Sequence, residues 1–127
     1  MGIDTKEIVV RDAITIDREK SVRSAVSFMN YFKVKGLVVT EADYPVGMFT
    51  IKNVPSTEQE MLTVGDVMSE PLMWVRYNTT LSEVAEIMED ERISRIPIFG
   101  NLSSGPILLG VYVHEEKTVK EEIEAES

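Results

Sequence analysis

Few residues of this 127-residue chain have side chains suited to catalysis or metal binding. Cysteine is absent, so the sequence excludes disulfides, thiolate nucleophiles and thiolate zinc sites. His114 is the one histidine, and a single imidazole cannot build a multi-histidine metal site. No motif places a nucleophile beside a base or pairs two carboxylates for acid–base work. The sequence therefore predicts no catalytic residues and no metal site, and it predicts that no cofactor is required.

The charge balance and the hydropathy pattern narrow the class of protein. The 22 acidic and 13 basic residues give a net charge of −9, and 43% of the residues are hydrophobic. Such a surface repels a phosphate backbone, and no basic stripe offsets it, so a nucleic-acid partner is not expected. No apolar run approaches the ~20 residues of a membrane helix, and the N-terminus lacks the order of a secretory signal. We therefore expect a soluble, cytoplasmic protein without a membrane partner.

The chain contains an internal repeat. When the sequence is aligned with itself at an offset of 59 positions, apolar residues coincide over a long stretch. The coincident pairs include Val9 with Met68, Ile16 with Val75, Val22 with Leu81, Met29 with Met88, and Val39 with Ile98. The second copy has four extra residues in the segment GNLSSG, after which Gly47 aligns with Gly110. Self-similarity at a fixed offset predicts two copies of one structural unit, at residues 1–60 and 61–127.

Each copy begins with the pattern of a strand followed by a helix. The extended segments are Ala13–Asp17 and Leu72–Arg76. Apolar residues then recur with the i, i+3, i+4, i+7 spacing of a half-buried helix. Thr80 and Glu83 have the spacing of a capping box, which predicts that the second helix starts at Thr80.

Two apolar runs and a closing helix complete each copy. The runs predict a β-hairpin, with its turn at Tyr44-Pro45 in the first copy and within Gly100–Gly105 in the second. Short closing helices are expected near Ser56–Leu62 and Lys117–Ala125. The unit is thus β-α-β-β-α. Because a three-stranded sheet with one covered face leaves a large apolar surface, we expect an α+β fold with the copies packed sheet to sheet.

The repeated segments resemble a tandem pair of CBS domains, the small regulatory module named after cystathionine β-synthase. The resemblance covers about residues 8–116 and is clearest in VGDVMSEPLMWV and TTLSEVAEIMEDERISRIPIFG. It implies pseudo-symmetric repeats whose clefts bind an adenosine-containing ligand: AMP, ADP, ATP or S-adenosylmethionine. It also implies a disc-shaped homodimer, and a chain without an effector domain would regulate an unidentified partner protein in trans. A ligand-free structural or dimerisation module is the alternative.

The resemblance also implies a ribose-binding motif, in which Gly, Thr or Ser, and Asp or Asn follow one another at intervals of three. The first copy carries it as Gly47, Thr50 and Asn53, whose hydroxyl and amide suit a ribose or phosphate oxygen. The alternative is that Thr50 and Asn53 only cap a short helix. The second copy has Val113 and Glu116 at these places, so we expect its cleft to be degenerate and one ligand to bind per chain.

The pseudo-twofold arrangement of the family adds further candidate ligand contacts. It implies that the motif of the first copy faces Ile93, Ser94 and Arg95 of the second. Met68 and Met73 are candidates to flank adenine, with ordinary core packing as the alternative. The candidate phosphate contacts are Lys35, Lys52 and Arg95. Gly36 occupies the place that matches Arg95, which favours a monophosphate or S-adenosylmethionine over a triphosphate.

Overall fold

The computed structural model describes residues 2–56 and 61–115. The strands are β1 (Ile8–Arg11), β2 (Thr15–Asp17), β3 (Gly36–Glu41), β4 (Tyr44–Thr50), β5 (Val75–Arg76), β6 (Arg95–Leu102) and β7 (Gly105–His114). The α-helices are α1 (Val22–Phe32), α2 (Val64–Val67) and α3 (Leu81–Glu91), and 3₁₀ turns cover Thr5–Glu7 and Ile51–Asn53. In these residues the strands form a sheet of order β2-β3-β4 and a sheet of order β1-β7-β6-β5. The fold is α+β, as predicted.

The chain divides into two compact units that do not follow the chain order. The first, here the motif unit, is Ala13–Met73; the second, the split unit, combines Met1–Asp12 with Trp74–Ser127. The split arises because β1 pairs antiparallel with β7 along its whole length. In the motif unit the corresponding pairing is a single bridge between Met48 and Ser69. The boundaries 1–60 and 61–127 therefore stay a prediction about the duplicated sequence, not a description of these units.

Helices α1 and α3 have matching ends. The N-cap Ser21 accepts a hydrogen bond from the Ser24 backbone N–H at 3.0 Å, and the N-cap Thr80 accepts one from Glu83 at 3.2 Å. Both helices end on a basic residue in the left-handed conformation, with φ of 56° in each case. An N-cap hydroxyl satisfies an N–H that has no partner inside the helix, so these contacts define where the helices begin. The predicted start at Thr80 is confirmed.

Each helix buries one apolar stripe against the sheet of its own unit. In the motif unit Val22, Ala25 and Met29 of α1 belong to a core with Leu37, Val39 and Phe49. In the split unit Val84, Ala85 and Met88 of α3 belong to a core with Ile8, Val75 and Ile96. These positions follow the predicted helical spacing. Fully burying one such side chain contributes roughly 1.5–3 kcal/mol, so the two stripes fix which face of each helix meets the sheet.

One of the two predicted hairpin turns differs from the structure. The turn at Tyr44-Pro45 is wrong, because both residues lie in β4 and the chain reverses at Ala42 and Asp43. These two residues have φ of 48° and 65°, and a two-residue hairpin turn of type I′ requires positive φ at both positions. In the split unit the chain reverses at residues 103–104, within the predicted segment Gly100–Gly105, and Gly100 itself extends β6.

The segments at the start and the end of each copy also differ in part from the prediction. The predicted first strands shorten to β2 and β5, and α2 and the pairing of β1 with β7 were not expected. The predicted helix Ser56–Leu62 includes residues 57–60, which lie outside the described residues. The predicted helix Lys117–Ala125 also lies outside them. Across the described residues, no helix is both long enough and apolar enough to cross a membrane.

Candidate functional site

Gly47 lies where two backbone segments of the motif unit approach closely. Met48 and Ser69 exchange backbone hydrogen bonds of 3.0 and 2.9 Å, which draws the segment after α2 against β4. A Cβ at Gly47 would lie 2.7 Å from Met68 Sδ and 2.8 Å from the Ser69 carbonyl oxygen. Because both distances are shorter than any real carbon contact, only glycine fits here without a shift of the backbone.

Thr50 is the last residue of β4 and lies at one end of the sheet. It pairs with Gly36, the first residue of β3, and its side chain is half-buried. Its hydroxyl lies 3.4 Å from Asn53 Oδ1. Lys35 directly precedes Gly36, and its exposed side chain therefore starts at the same end of the sheet as the Thr50 hydroxyl. Lys52, also exposed, lies in the 3₁₀ turn that follows β4.

The side-chain amide of Asn53 is fully engaged within the protein. Its Oδ1 accepts a hydrogen bond from the Thr50 backbone N–H at 2.8 Å. Its Nδ2 donates to the Val67 carbonyl oxygen at 2.9 Å and to the Ser69 hydroxyl oxygen at 3.1 Å. An amide has two donor hydrogens, and both are used here. The structure thus places Asn53 in the helix-capping role that the sequence left as its alternative, and it also joins α2 to β4.

Ser69 is a site residue that the sequence analysis missed. Its hydroxyl accepts from Asn53 and, like any hydroxyl, still carries a proton that it can donate. By sequence it belongs to the second copy, yet it lies in the motif unit. At the repeat offset of 59, Ser69 corresponds to Val10, which lies in β1 and pairs with β7. Since β7 is the equivalent of β4, the repeat indicates that Ser69 lies beside β4.

The two methionines proposed to flank adenine lie in different environments. Met68 is buried in the core of the motif unit, and its sulfur lies beside Gly47. Met73 is exposed. The core alternative therefore describes Met68, while a ligand contact by either residue stays a prediction.

The counterpart of the motif in the split unit is a strand interior. Val113 lies within β7, is 4% exposed, and pairs with Val9 of β1 on one side and Arg95 of β6 on the other. Gly110 shows the same close approach as Gly47, since a Cβ there would lie 3.0 Å from the Arg11 carbonyl oxygen. Glu116 lies outside the described residues. The backbone pattern is conserved between the copies, but the hydroxyl position of the motif is core.

The remaining predicted contacts belong to the split unit. Ile93 packs against the core that includes α3, and the Ser94 carbonyl oxygen accepts the His114 backbone N–H at 2.9 Å. Arg95 is half-buried; this burial is the main cause that lowers its pKa, and the Glu115 carboxylate opposes the shift. Glu115 itself forms a two-point ion pair with Arg11, with N–O distances of 2.9 and 2.8 Å. An arginine keeps its charge in such surroundings, so Arg95 remains a cation.

The structure thus divides the predicted set between the units. Lys35, Thr50, Lys52, Asn53 and Met68 lie in the motif unit, and Ile93, Ser94 and Arg95 lie in the split unit. In the motif unit, two hydroxyls joined by Asn53 and two exposed lysines can bind a polar or anionic ligand. These groups offer hydrogen bonds and positive charge, which are the means of binding such a ligand.

Comparison with known proteins identifies the repeated unit. The family model of the CBS domain matches residues 6–54 and 64–116, which is most of the chain and both copies. An inosine-5'-monophosphate dehydrogenase from Methanocaldococcus jannaschii is 31% identical over 93 residues, covering 72% of this chain and 19% of the dehydrogenase. The chain thus spans about a fifth of the length of that relative.

Solved structures agree at the level of the fold. A CBS-domain protein from Agrobacterium tumefaciens has a TM-score of 0.68 at 21% identity, covering 92% of this chain and 91% of that chain. The cytosolic domain of the Mg²⁺ channel MgtE, solved in complex with ATP, has a TM-score of 0.66 at 17% identity, covering 89% of this chain and 44% of that chain. The two family matches, the repeated strand–helix–hairpin order and the paired glycines lead to one conclusion: the chain belongs to the CBS domain family and contains two CBS domains in tandem.

Proposed function

We propose that this protein is a regulatory module that binds an adenosine-containing ligand at the end of β4 and modulates a partner protein in trans. Paired CBS domains are commonly regulatory modules that bind ligands. The ATP complex of the MgtE domain, which shares the fold, supports a nucleotide as the ligand class. The proposed role is regulatory and not catalytic.

The observation that carries this proposal is the pair of hydroxyls that Asn53 joins at the end of β4. Thr50 and Ser69 both contact Asn53, at 3.4 and 3.1 Å, so one amide holds them together. Hydroxyls can donate to and accept from a ribose diol, which makes them a suitable pair for a nucleoside. Lys35 and Lys52 supply positive charge for a phosphate or carboxylate. AMP, ADP, ATP and S-adenosylmethionine all combine these groups.

Asn53 acts in this proposal by positioning the hydroxyls. Its donor hydrogens are engaged by Val67 and Ser69, so direct contact with a ribose diol requires that one of these bonds is exchanged. Contacts of the base and the phosphates with Ile93, Ser94 and Arg95 of the other unit stay a prediction.

Calorimetric titration with AMP, ADP, ATP and S-adenosylmethionine tests the proposal. We expect one ligand to bind per chain, and Thr50→Val to weaken binding about tenfold, the effect of one lost hydrogen bond of ~1.4 kcal/mol. Thr40→Val is the matched control, because Thr40 lies in the same sheet and its hydroxyl contacts the Ile16 carbonyl oxygen at 3.4 Å. Equal affinity of wild type and Thr50→Val would contradict the assignment, as would two equal sites per chain.

A ligand-free structural or dimerisation module is the second candidate. The saturated amide of Asn53 favours it, because the motif already has a structural use without any ligand. A thermal-shift series separates the two functions, since a ligand present at ~100 times its Kd stabilises the folded state by ~2.7 kcal/mol. The absence of any shift with all four ligands at millimolar concentration would select the ligand-free module.

Self-association forms a further part of the proposed function. The outer faces of the helices are available for contact between chains, and we expect a homodimer. Light scattering should report twice the chain mass of 14.3 kDa. A mass of one chain at every concentration would contradict this.

A further inference from the structure

The hairpin of the split unit extends further than its equivalent in the motif unit. It contains the four extra residues of the second copy, and β6 and β7 stay paired as far as Leu102 and Gly105. Among the described residues, β1 pairs with β7 only from Val111 onward, and β5 pairs with β6 only before Gly100. Residues 100–109, here the ribbon, are therefore two-stranded and extend beyond the four-stranded part of the sheet.

The ribbon and its surroundings carry no charge. Residues 96–113 contain no charged side chain, although 28% of the residues in the chain are charged. The hairpin of the motif unit instead has Glu41 at the end of β3 and Asp43 in its turn. Charged side chains normally protect an exposed sheet edge from unintended contacts. The ribbon lacks this protection, which is typical of a surface that another molecule covers.

One face of the ribbon presents three large apolar side chains. Leu102, Ile107 and Leu109 are 56%, 39% and 55% exposed. A Cβ at Gly100 would lie 3.0 Å from Leu109 Cδ1 and 3.5 Å from Ile107 Cγ2, so both side chains lie over this glycine. Leu102 shares the face, because alternate residues of a strand point to the same side. We call these three side chains the ribbon face; a connected group of this kind marks an interaction site.

The ribbon face continues the sheet face that α3 covers. Ile96 and Gly100 point to the same side of β6, and Ile96 is buried in the core that includes α3. The Tyr77 backbone N–H donates to the Phe99 carbonyl oxygen at 2.9 Å, three residues before Thr80, the N-cap of α3. Helix α3 therefore begins near the base of the ribbon, and its buried stripe leaves the ribbon face exposed.

Negative charge borders the ribbon face. Glu83 is exposed in the first turn of α3, at the end of the helix nearest to the ribbon. The helix contains four further carboxylates and no basic residue. A molecule that covers the ribbon face is therefore bound more strongly if basic residues flank its apolar ones. A second copy of this chain would bring a net charge of −9 to this border, so a different protein is the better occupant.

We propose that the regulated partner docks on the ribbon face through an amphipathic helix whose polar side is basic. This inference rests on the proposed function, since it names the surface through which the module contacts the protein that it modulates. The apolar stripe of the partner helix covers Leu102, Ile107 and Leu109, and the helix lies on the sheet beyond α3. Its basic residues face the carboxylates of α3. An apolar helix face bound to an apolar surface is a common mode of peptide recognition.

A model helix tests the docking on the full chain. The probe is a fluorescein-labelled peptide of leucine and lysine, about 14 residues long, with leucine at the i, i+3, i+4, i+7 positions of a helix. One control peptide has the same composition but no leucine stripe, and the other has glutamate in place of lysine. We expect fluorescence anisotropy to show that the striped lysine peptide binds at least tenfold tighter than either control. Equal affinities for the striped and unstriped lysine peptides would overturn the proposal, as would no binding of the striped peptide.

Substitutions show whether the peptide binds at the ribbon. Ile107→Asn and Leu109→Asn should each weaken binding of the striped peptide at least tenfold, because an amide replaces an apolar contact. Both side chains are exposed, and two separate variants guard against a folding defect in one of them. Tyr44→Asn is the matched control, because Tyr44 is 66% exposed on the equivalent hairpin of the motif unit. Wild-type affinity in both ribbon variants, or an equal loss in Tyr44→Asn, would contradict the docking.

A cysteine at the end of the ribbon tests the alternative occupant, a second copy. The chain has no native cysteine, so Leu102→Cys provides a single thiol. Mild oxidation without peptide should leave this variant without cross-linked dimers, and efficient cross-linking would overturn the proposal in favour of a second copy. No nucleotide is present in any of these experiments, so their failure and the failure of nucleotide binding are independent results.

Discussion

Thr50 and Val113 occupy equivalent positions in the two CBS domains, and their neighbouring strands explain why only one can present a hydroxyl. Thr50 ends β4 and has a strand partner on one side, Gly36 of β3. Val113 has strand partners on both sides, because β1 pairs with β7 over four residues. In the motif unit the segment equivalent to β1 makes only the bridge between Met48 and Ser69. The extent of this pairing decides whether the position is a half-buried strand end or part of the core.

The largest loss of stability is expected when a side chain is introduced at Gly47, where two backbone segments approach closely. Gly47→Ala should lower the free energy of unfolding by about 3 kcal/mol, because the new Cβ meets the Ser69 backbone oxygen at 2.8 Å. Gly110→Ala should cost about 1 kcal/mol, since the corresponding distance to the Arg11 oxygen is 3.0 Å. Urea unfolding measures both.

A third glycine provides the control for this pair. Gly65→Ala also brings a Cβ to 2.8 Å from a neighbour, but the neighbour is the Nε of the Arg18 side chain, which can move. The substitution also gains up to about 1 kcal/mol of helix propensity in α2. We expect it to be neutral or stabilising. A loss as large as that of Gly47→Ala would show that backbone proximity is not the cause.

The next largest change in stability is expected when the residue types at Thr50 and Val113 are exchanged. Val113→Thr should destabilise the protein by roughly 1–3 kcal/mol, because it buries a hydroxyl at a position that is 4% exposed. Thr50→Val should change stability by less than about 1 kcal/mol, since Thr50 is half-buried at a strand end. Chemical unfolding of both variants compares the positions directly. Equal costs would mean that the two sites have the same surroundings.

A smaller effect is expected at Asn53, the residue that joins the hydroxyl pair. Asn53→Ala should cost about 1–2 kcal/mol of stability, because the Thr50 N–H and the Val67 carbonyl oxygen both lose a partner. Ser69→Ala removes one acceptor at an exposed position and should cost less than half as much. Unfolding midpoints measured without ligand give both values. A larger loss for Ser69→Ala would contradict the structural role of Asn53.

The repeat, the helix starts and the apolar stripes could be predicted because they depend on local sequence. Thr80 with Glu83 indicates an N-cap through spacing alone, and the stripe of Val22, Ala25 and Met29 follows the helical period. Proline is a common turn residue, so the sequence favours a turn at Tyr44-Pro45, whereas in the structure Ala42 and Asp43 adopt positive φ and form the turn. A non-glycine residue with positive φ is uncommon, so the sequence alone gave little reason to choose Ala42.

The arrangement of the site was less predictable because it depends on pairing between distant segments. Gly47, Thr50 and Asn53 were recognised as a motif, but the bonds from Asn53 to Val67 and Ser69 join residues 14 and 16 positions apart. A local pattern does not specify such contacts. The same reason explains why β1, at the start of the chain, was not assigned to the sheet of the second copy.

The smallest expected effect concerns the short helix that carries the Val67 carbonyl to Asn53. Asp66 accepts the Thr63 backbone N–H at 2.9 Å, and this bond, followed by the Thr63 hydroxyl, lowers the Asp66 pKa below its ordinary value of 3.8. A depressed pKa in the folded state gives stability that is present above the unfolded value and is lost as the pH falls through the folded value.

Asp66→Asn should therefore remove a small part of the acid sensitivity of unfolding. Thr63→Ala should retain most of it, because the backbone N–H, the largest cause of the shift, survives the substitution. Urea unfolding followed from neutral to acid pH tests this, and a Thr63→Ala profile as flat as that of Asp66→Asn would assign the effect to the hydroxyl instead.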